Sequence, residues 1–174
     1  TFLFSGAFMN TISIYRVEPN TRPYTHVVKK TLMRSLRALR RNNVAVDVYL
    51  IGNRAMRFLN KKYRGKDKAT NVLSFTEPKQ FPHPELKRRF TQTERRLSQT
   101  KKGIRERDVT CLGEVYLAIP YIKEEAHIRN TPCSLLLTLY SIHGLLHLLG
   151  YKHGTKSDRI QMEKREKEML NALR

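Results

Sequence analysis

The sequence has few acidic residues and few cysteines. Its 174 residues include 15 Asp or Glu against 34 Lys or Arg, so the formal net charge at pH 7 is +19. A field of that sign attracts polyanions, which makes nucleic acid the first partner to consider, with a solvated basic surface or an anionic membrane surface as alternatives. The two cysteines, Cys111 and Cys133, form no CxxC motif. Such sparse cysteines argue against a disulfide framework and are typical of a reducing compartment, and we expect both to be buried.

Long hydrophobic runs are also missing, because no apolar stretch approaches the length of a transmembrane helix. A chain of this length fits one domain and buries roughly 70% of its unfolded surface, so it can form a core without disulfides. We therefore expect one domain over residues 1–174. The first methionine is Met9. We expect the native start there, with the eight preceding residues an addition; a mature form left after removal of a transit peptide is the alternative.

The spacing of apolar residues predicts most of the secondary structure. After an extended start, "TISIYRV", the predicted elements are a helix at about 25–41, a strand at 44–51, a helix at about 53–63, a strand ending at residue 75, a strand at 110–119, and helices at about 121–129, 131–149 and 155–173. Thr131 is the predicted cap of the second-last helix, with Pro132 at its first position and Gly150 as its end. This nearly all-apolar helix should lie in the core.

Between Thr76 and Val109 the apolar periodicity fades. This segment holds 10 Lys or Arg against 5 Asp or Glu. Because such a composition buries little apolar surface, we predict a basic insertion that is flexible or partly helical.

Three histidines stand close together in "HGLLHLLGYKH", with no carboxylate among them. Residues four apart share a helix face, so His143 and His147 can bind one zinc ion at a distance of about 2.0–2.1 Å. Gly150 can end the helix in a left-handed conformation and bring His153 back as a third ligand. A fourth position stays open, as in catalytic zinc sites. A single histidine on an apolar helix would be read as a hydrogen-bonded core residue, but three at this spacing favour a metal site.

The same spacing occurs in metzincin peptidases, but their general base, a Glu, is replaced here by Gly144. Peptide hydrolysis thus lacks its usual base, whereas phosphodiester cleavage stays open to a zinc site. Glycine costs a helix interior about 1 kcal/mol against alanine. It therefore suggests either space kept beside the metal or close packing against a neighbour. A phosphoryl substrate also needs a cation, and Arg64 in the loop "YRGKDKATN" is a candidate, with a solvated surface arginine as the alternative.

Three segments, "YRGKDKATNVLSF", "LGEVYLAI" and "HGLLHLLGYKHG", together resemble the YbeY endoribonucleases. The resemblance extends from about Val44 to the C-terminus. It implies an α+β single domain with a small mixed β-sheet packed with helices. It also implies one Zn²⁺ held by His143, His147 and His153, on a core helix and the following turn. The implied activity is zinc-dependent, single-strand-specific cleavage of RNA in ribosomal RNA maturation and small-subunit ribosome assembly.

The resemblance assigns further roles. The family's catalytic arginine corresponds to Arg64, which would bind and neutralise the scissile phosphate while a zinc-bound water or the substrate's 2′-OH attacks. Asn71 and Ser74 match positioning or structural residues. The implied partners are ribosomal RNA, the small ribosomal subunit or its assembly intermediates, and a small-subunit ribosomal protein, with no membrane. We expect the bacterial cytoplasm, with a mitochondrion or another organelle as the second location.

The sequence departs from the family at three places. Lys152 stands where the family usually has Asp, Glu114 replaces the Asp of "LGD", and the basic segment 76–109 is longer than the family requires. We expect that segment to bind RNA or a ribosomal partner, or else to be solvated. Lys152 leaves open a second function, a ribosome-assembly factor that binds ribosomal RNA and a small-subunit protein with little or no cleavage. A zinc peptidase is a third reading, disfavoured by Gly144.

Overall fold

Four strands form a mixed sheet in the computed structural model, which describes residues 10–76 and 109–173. The strands are β1 (Thr11–Arg16), β2 (Val44–Ile51), β3 (Val72–Thr76) and β4 (Thr110–Ala118). Their spatial order is β1-β2-β4-β3, with β1 and β4 parallel to β2 and β3 antiparallel to β4. The predicted small mixed sheet is therefore confirmed.

Five helices accompany this sheet within the same described ranges. They are α1 (Arg22–Ala38), α2 (Asn53–Arg64), α3 (Ile119–Ile128), α4 (Cys133–Leu148) and α5 (Lys156–Leu173). None of them combines the length and the apolar character that crossing a membrane requires. The predicted α+β class is confirmed, and β2 has the predicted bounds.

The two faces of the sheet are buried by different helices. One face carries Val48 and Val115, which belong to a buried cluster with residues of α1 and α4. The other face carries Tyr49 and Tyr116, whose rings stack at 4.7 Å between centroids, in a cluster with residues of α2. Because side chains alternate along a strand, one sheet can serve both layers.

Helix α4 lies in the core, as its apolar sequence predicts. It contacts α1, β3, β4, α3 and α5. Its Ile142 and Leu146 are buried against Met162 and Met169 of α5. The helix that carries two of the three histidines is therefore held from several sides.

Gly144 marks a close approach between α4 and the sheet. A Cβ atom added there would lie 2.8 Å from Cγ1 of Val115 and 3.4 Å from Cγ2 of Val72. Since real Cβ contacts are almost never that short, packing against the sheet accounts for this glycine. Of the two explanations of Gly144, close packing against the sheet is supported. Space kept beside the metal is not required to explain this glycine.

We expect Gly144→Ala to destabilise the protein by about 1 kcal/mol, because overpacking of about 1–3 kcal/mol exceeds the gain of about 1 kcal/mol in helix propensity. Urea unfolding measures the effect. As a control, the same change in a Val115→Ala background, which lacks the methyl group at 2.8 Å and keeps only the ordinary contact with Val72, should be stabilising. Equal stabilisation in both backgrounds would contradict the packing explanation.

Several predicted boundaries were wrong. Thr76 belongs to β3 and pairs with Gly113, so it is not the start of the predicted insertion over 76–109. The rest of that segment, apart from Val109, lies outside the described residues. The cap residue of α4 is Pro132, and Thr131 instead donates its hydroxyl hydrogen bond to the Arg129 carbonyl at 3.1 Å. The prediction that both cysteines are buried is only partly confirmed, since Cys111 and Cys133 are half-buried.

Candidate metal centre

The three predicted histidines come together in the structure. His143 and His147 lie one turn apart near the end of α4, and His153 follows in the turn before α5. One ligand atom from each lies within 4.8 Å of the others, and the Nε2 atoms of His143 and His147 are 3.0 Å apart. The group is therefore positioned to bind a metal ion.

The turn that returns His153 is formed by Gly150. Its φ is +91°, in the left-handed region that glycine adopts without strain. The Gly150 N–H donates to the His147 carbonyl and the Tyr151 N–H to the Leu146 carbonyl, both at 3.0 Å. These are the two bonds of a Schellman motif, which satisfies the last carbonyls of a helix. The predicted reversal at Gly150 is confirmed.

We expect Gly150→Ala to destabilise the protein by about 1–2 kcal/mol, because a Cβ atom is strained in the left-handed region. Gly154→Ala is the matched control: at both positions an added Cβ would meet nothing within 4 Å, but only Gly150 has a positive φ. Urea unfolding with and without zinc, together with zinc affinity, measures the effect. Both stability and zinc affinity should fall for Gly150→Ala alone. Equal behaviour of the two variants would contradict the role of this turn.

Two acceptors outside the cluster orient the imidazoles. Nδ1 of His143 lies 2.7 Å from Oε1 of Glu166, and Nδ1 of His147 lies 2.9 Å from the carbonyl oxygen of Tyr151. Because each acceptor needs a proton on Nδ1, each neutral ring presents an unprotonated Nε2 to the cluster.

The separation and the protonation of the two facing Nε2 atoms show whether a metal ion fits between them. With both Nδ1 protons donated outward, neutral rings have no proton left to place between lone pairs 3.0 Å apart. Two nitrogen ligands of a tetrahedral zinc at 2.0–2.1 Å stand about 3.3 Å apart. For neutral rings, a metal cation thus satisfies an arrangement that would otherwise be repulsive, and the donor set fits zinc.

The electrostatics of the centre favour the metal-binding form of His147. Burial is the main cause that lowers its pKa to about 4; the charges of His143, His153 and Arg64 lower it further, and the bond to the Tyr151 carbonyl partly opposes them. At pH 7 this imidazole is neutral, which is the form that binds metal ions. The guanidinium of Arg64 therefore lies within electrostatic reach of His147.

Local structure holds Arg64 at this place. It is the last residue of α2, and Gly65 ends the helix with a φ of +67°. Asp67 then turns back onto the helix and forms ion pairs with Arg57 at 2.7 Å and Lys61 at 3.0 Å. These two cations lower the pKa of Asp67 to about 2. The loop that follows Arg64 is therefore tied to α2.

Asn71 and Ser74, which match the family pattern, and Glu114, which departs from it, have structural contacts. Oδ1 of Asn71 accepts the N–H of Val72 at 2.8 Å, at the start of β3. Ser74 lies within the β3–β4 pairing. Glu114 accepts the hydroxyl hydrogen bond of Tyr116 at 2.7 Å. These contacts agree with the positioning or structural roles that the resemblance assigns to Asn71 and Ser74.

Sequence reasoning missed the residues of α5 that support the site. Besides Glu166, Arg165 donates from Nε to the Tyr151 hydroxyl at 3.1 Å. A sequence signal for Glu166 was present, since Met162, Glu166 and Met169 share the i, i+4, i+7 spacing of one helix face. A carboxylate on an otherwise apolar inward stripe indicates a buried partner. The exposed Lys152 therefore does not leave the centre without a carboxylate.

We expect Glu166→Gln to weaken zinc binding by about 10- to 100-fold, as changes in the partners of metal ligands do. The amide keeps the shape but loses the negative charge that supports His143. Glu163→Gln, at an exposed position one turn earlier on α5, is the matched control. Competition with a chromogenic chelator measures both affinities. Similar zinc affinity in both variants would show that the 2.7 Å contact does not support the centre.

This arrangement defines a class of proteins: an α+β domain in which three histidines, gathered at the end of a core helix, are positioned to bind a metal ion. Within that class the chain belongs to the family described as Endoribonuclease YbeY, whose profile matches residues 11–174. The resemblance noted from the three sequence segments is thereby confirmed.

Individual relatives agree with this assignment. Endoribonuclease YbeY of Anaeromyxobacter sp. is 28% identical over 162 residues, which is 93% of this chain and 71% of that protein. Endoribonuclease YbeY of Sulfurihydrogenibium sp. is 29% identical over 148 residues, 82% of each chain. The solution structure of TM1509 from Thermotoga maritima matches with a TM-score of 0.57 at 24% identity and covers 93% of this chain and 88% of that one. This last likeness supports the fold.

Proposed function

We propose that this protein is a zinc-dependent endoribonuclease that cuts single-stranded RNA in ribosomal RNA maturation and small-subunit ribosome assembly. The pair of Nε2 atoms 3.0 Å apart, each on a ring whose Nδ1 is already committed, is the observation that carries the metal dependence. RNA as the substrate comes from the family, whose members carry the name endoribonuclease. The net charge of +19 suits such a polyanion.

Each site residue has a role in this proposal. His143, His147 and His153 hold one Zn²⁺ per chain. When bound, zinc supplies Lewis acidity, which lowers the pKa of water and polarises a phosphoryl oxygen. Arg64 binds the scissile phosphate through its planar fork of N–H donors and neutralises the charge that builds on the phosphoryl oxygens. Glu166 keeps the His143 ring in its orientation. The nucleophile is either a water molecule or the 2′-OH of the substrate.

A second candidate is a ribosome-assembly factor that binds ribosomal RNA and a small-subunit protein with little or no cleavage. Lys152, in place of the family's Asp, is the observation in its favour. Cleavage is the better supported function because Glu166 supplies a carboxylate to the centre. A zinc peptidase is disfavoured, since Gly144 offers no carboxylate and packs against the sheet.

The biological setting is part of the proposal. The partners are ribosomal RNA, the small ribosomal subunit or its assembly intermediates, and a small-subunit ribosomal protein. The basic segment 76–109 would contribute to binding them. The named relatives come from bacteria, which favours the bacterial cytoplasm, with a mitochondrion or another organelle as the second location.

Cleavage assays test the activity directly. The purified protein is given a fragment of precursor ribosomal RNA as a single strand, the same strand annealed to its complement, and the DNA version. We expect cuts in the single-stranded RNA only, lost after zinc removal and restored by zinc. A 2′-deoxy nucleotide at the cut position then separates the two nucleophiles. Tight, salt-sensitive RNA binding with intact RNA would favour the assembly factor, and zinc-dependent cleavage of an unfolded protein would favour the peptidase.

A further inference from the structure

A polar cavity of about 490 Å³ shares a turn with the histidine centre. Arg41, just beyond α1, and Gln161 of α5 line it together with the turn residues Gly150, Tyr151 and Lys152. The carbonyl of Tyr151 is the group that orients His147. A polymeric substrate bound at the metal centre could therefore extend into this cavity.

Two cations in the cavity lack an ion-pair partner. Within residues 10–76 and 109–173, neither Arg41 nor Lys152 forms a salt bridge, and both are exposed. The cavity also holds one acid, Asp158, whose pKa is lowered by its hydrogen bonds with Thr155 and, to a smaller extent, by the charge of Lys152. Its Oδ2 accepts the Thr155 N–H at 3.1 Å, and its own N–H donates to the Thr155 hydroxyl at 3.1 Å. This reciprocal cap holds the start of α5. With two cations against one acid, the cavity keeps a net positive charge that an anion can balance.

The backbone places Arg41 firmly at the cavity. Its N–H donates to the Leu36 carbonyl at 2.9 Å, and its carbonyl accepts the Asn10 side-chain amide at 2.7 Å. An anchored backbone reduces the conformational freedom that binding has to remove. The backbone of Arg41 is therefore fixed at the cavity, and binding has to order only its exposed side chain.

The positive charge continues from the cavity along α1. No acidic residue occurs between Glu18 and Asp47. The exposed cations of this stretch are Arg22, Lys29, Lys30, Arg37, Arg40 and Arg41. Successive cations along one element suit a ligand that repeats its negative charge along a chain, as RNA does at each phosphate.

We propose that this cavity is a subsite for a backbone phosphate of single-stranded RNA, next to the nucleotide cut at the histidine centre, and that the outer face of α1 extends the same track. The proposal rests on the proposed function and adds the path of the substrate. Arg41 and Lys152 are the phosphate contacts, and the Gln161 amide is a further donor. In this proposal Lys152, which replaces the family's Asp, strengthens the binding of the RNA substrate.

Salt-dependent binding tests the subsite. A fluorescent 12-nucleotide single-stranded RNA is titrated with wild type, Arg41→Ala, Lys152→Ala and Lys123→Ala over a series of salt concentrations. The exposed Lys123 lies near Cys133 at the other end of α4, a helix of 16 residues and so about 24 Å long. Zinc content and circular dichroism on each variant confirm an intact fold and centre.

We expect Arg41→Ala and Lys152→Ala each to weaken binding several-fold at moderate salt, and to reduce the slope of log K against log salt by about 0.7, the value of one phosphate contact on a single strand. Lys123→Ala should stay near wild type. If all three variants bind alike, the subsite is wrong. It is also wrong if a poly-glutamate peptide binds in an Arg41- and Lys152-dependent way while RNA binding does not depend on them.

The outcome is separable from that of the proposed function. If Arg41→Ala and Lys152→Ala bind RNA more weakly than the wild type, but the wild type itself cuts no RNA, the subsite is supported and the nuclease is rejected. If the wild type cuts RNA and both variants bind RNA as tightly as the wild type, the nuclease is supported and the subsite is rejected.

Discussion

His147→Ala abolishes zinc binding and brings RNA cleavage down to background: this is the largest effect that we expect. His147 has the central place among the ligands, because its Nε2 lies 3.0 Å from that of His143 and its ring packs 4.9 Å from that of His153, between centroids. Without it, two histidines remain, fewer than the three protein ligands of a catalytic zinc site. Elemental analysis and the cleavage assay, run on one sample, measure both losses.

Thermal unfolding gives a second readout for the same variant. Zinc at 100 times its dissociation constant should stabilise the wild type by about 2.7 kcal/mol, which raises the midpoint by roughly 5–10 °C for a chain of this size. The His147→Ala midpoint should not respond to zinc. His127→Ala is the matched control, since His127 is exposed on α3 and lies outside the histidine cluster. Stoichiometric zinc in His147→Ala would overturn the assignment of this ligand.

Arg64→Ala should reduce cleavage by about 100- to 1000-fold, the range seen when one group that stabilises a transition-state charge is removed. Its zinc content should stay at the wild-type value, because the proposed role of Arg64 is to bind the phosphate and not the metal. Arg64→Lys should fall in between, since it keeps the charge but loses the two parallel donors of the guanidinium. Initial rates at saturating and at low RNA concentration separate an effect on kcat from one on KM.

The control for Arg64 comes from the same helix. Arg54 is exposed in the first turn of α2, ten residues and so about 15 Å away along the helix axis. Arg54→Ala removes the same charge and should cut RNA nearly as well as the wild type. Wild-type cleavage by Arg64→Ala would show that Arg64 is not catalytic, and loss of zinc from that variant would show that it supports the metal instead.

Local patterns predicted the parts of this structure that depend on neighbouring residues. The bounds of β2 follow from its run of β-branched residues after two asparagines. The reversal at Gly150 follows from a glycine after the last apolar residue of α4, and the spacing of His143, His147 and His153 follows from that helix and turn. In each case the responsible residues lie within a few positions of one another.

Contacts between distant segments could not be predicted in this way. The Glu166 carboxylate that orients His143 comes from the next helix, and the side chain that makes Gly144 necessary, Val115, lies on β4. Arg64 lies within electrostatic reach of His147 because of how α2 packs in the fold, and no periodicity in the sequence indicates that packing. The prediction of a catalytic role for Arg64 comes from the family resemblance and not from composition.

The most direct test of zinc-dependent cleavage is a titration of zinc into metal-free protein, with bound zinc and the initial rate of single-stranded RNA cleavage measured on the same sample at each step. We expect a rate of zero without zinc, a linear rise with bound zinc, and a plateau at one zinc per chain. Full cleavage by the zinc-free protein would contradict zinc dependence. One bound zinc per chain with intact RNA would contradict the nuclease and favour an assembly factor.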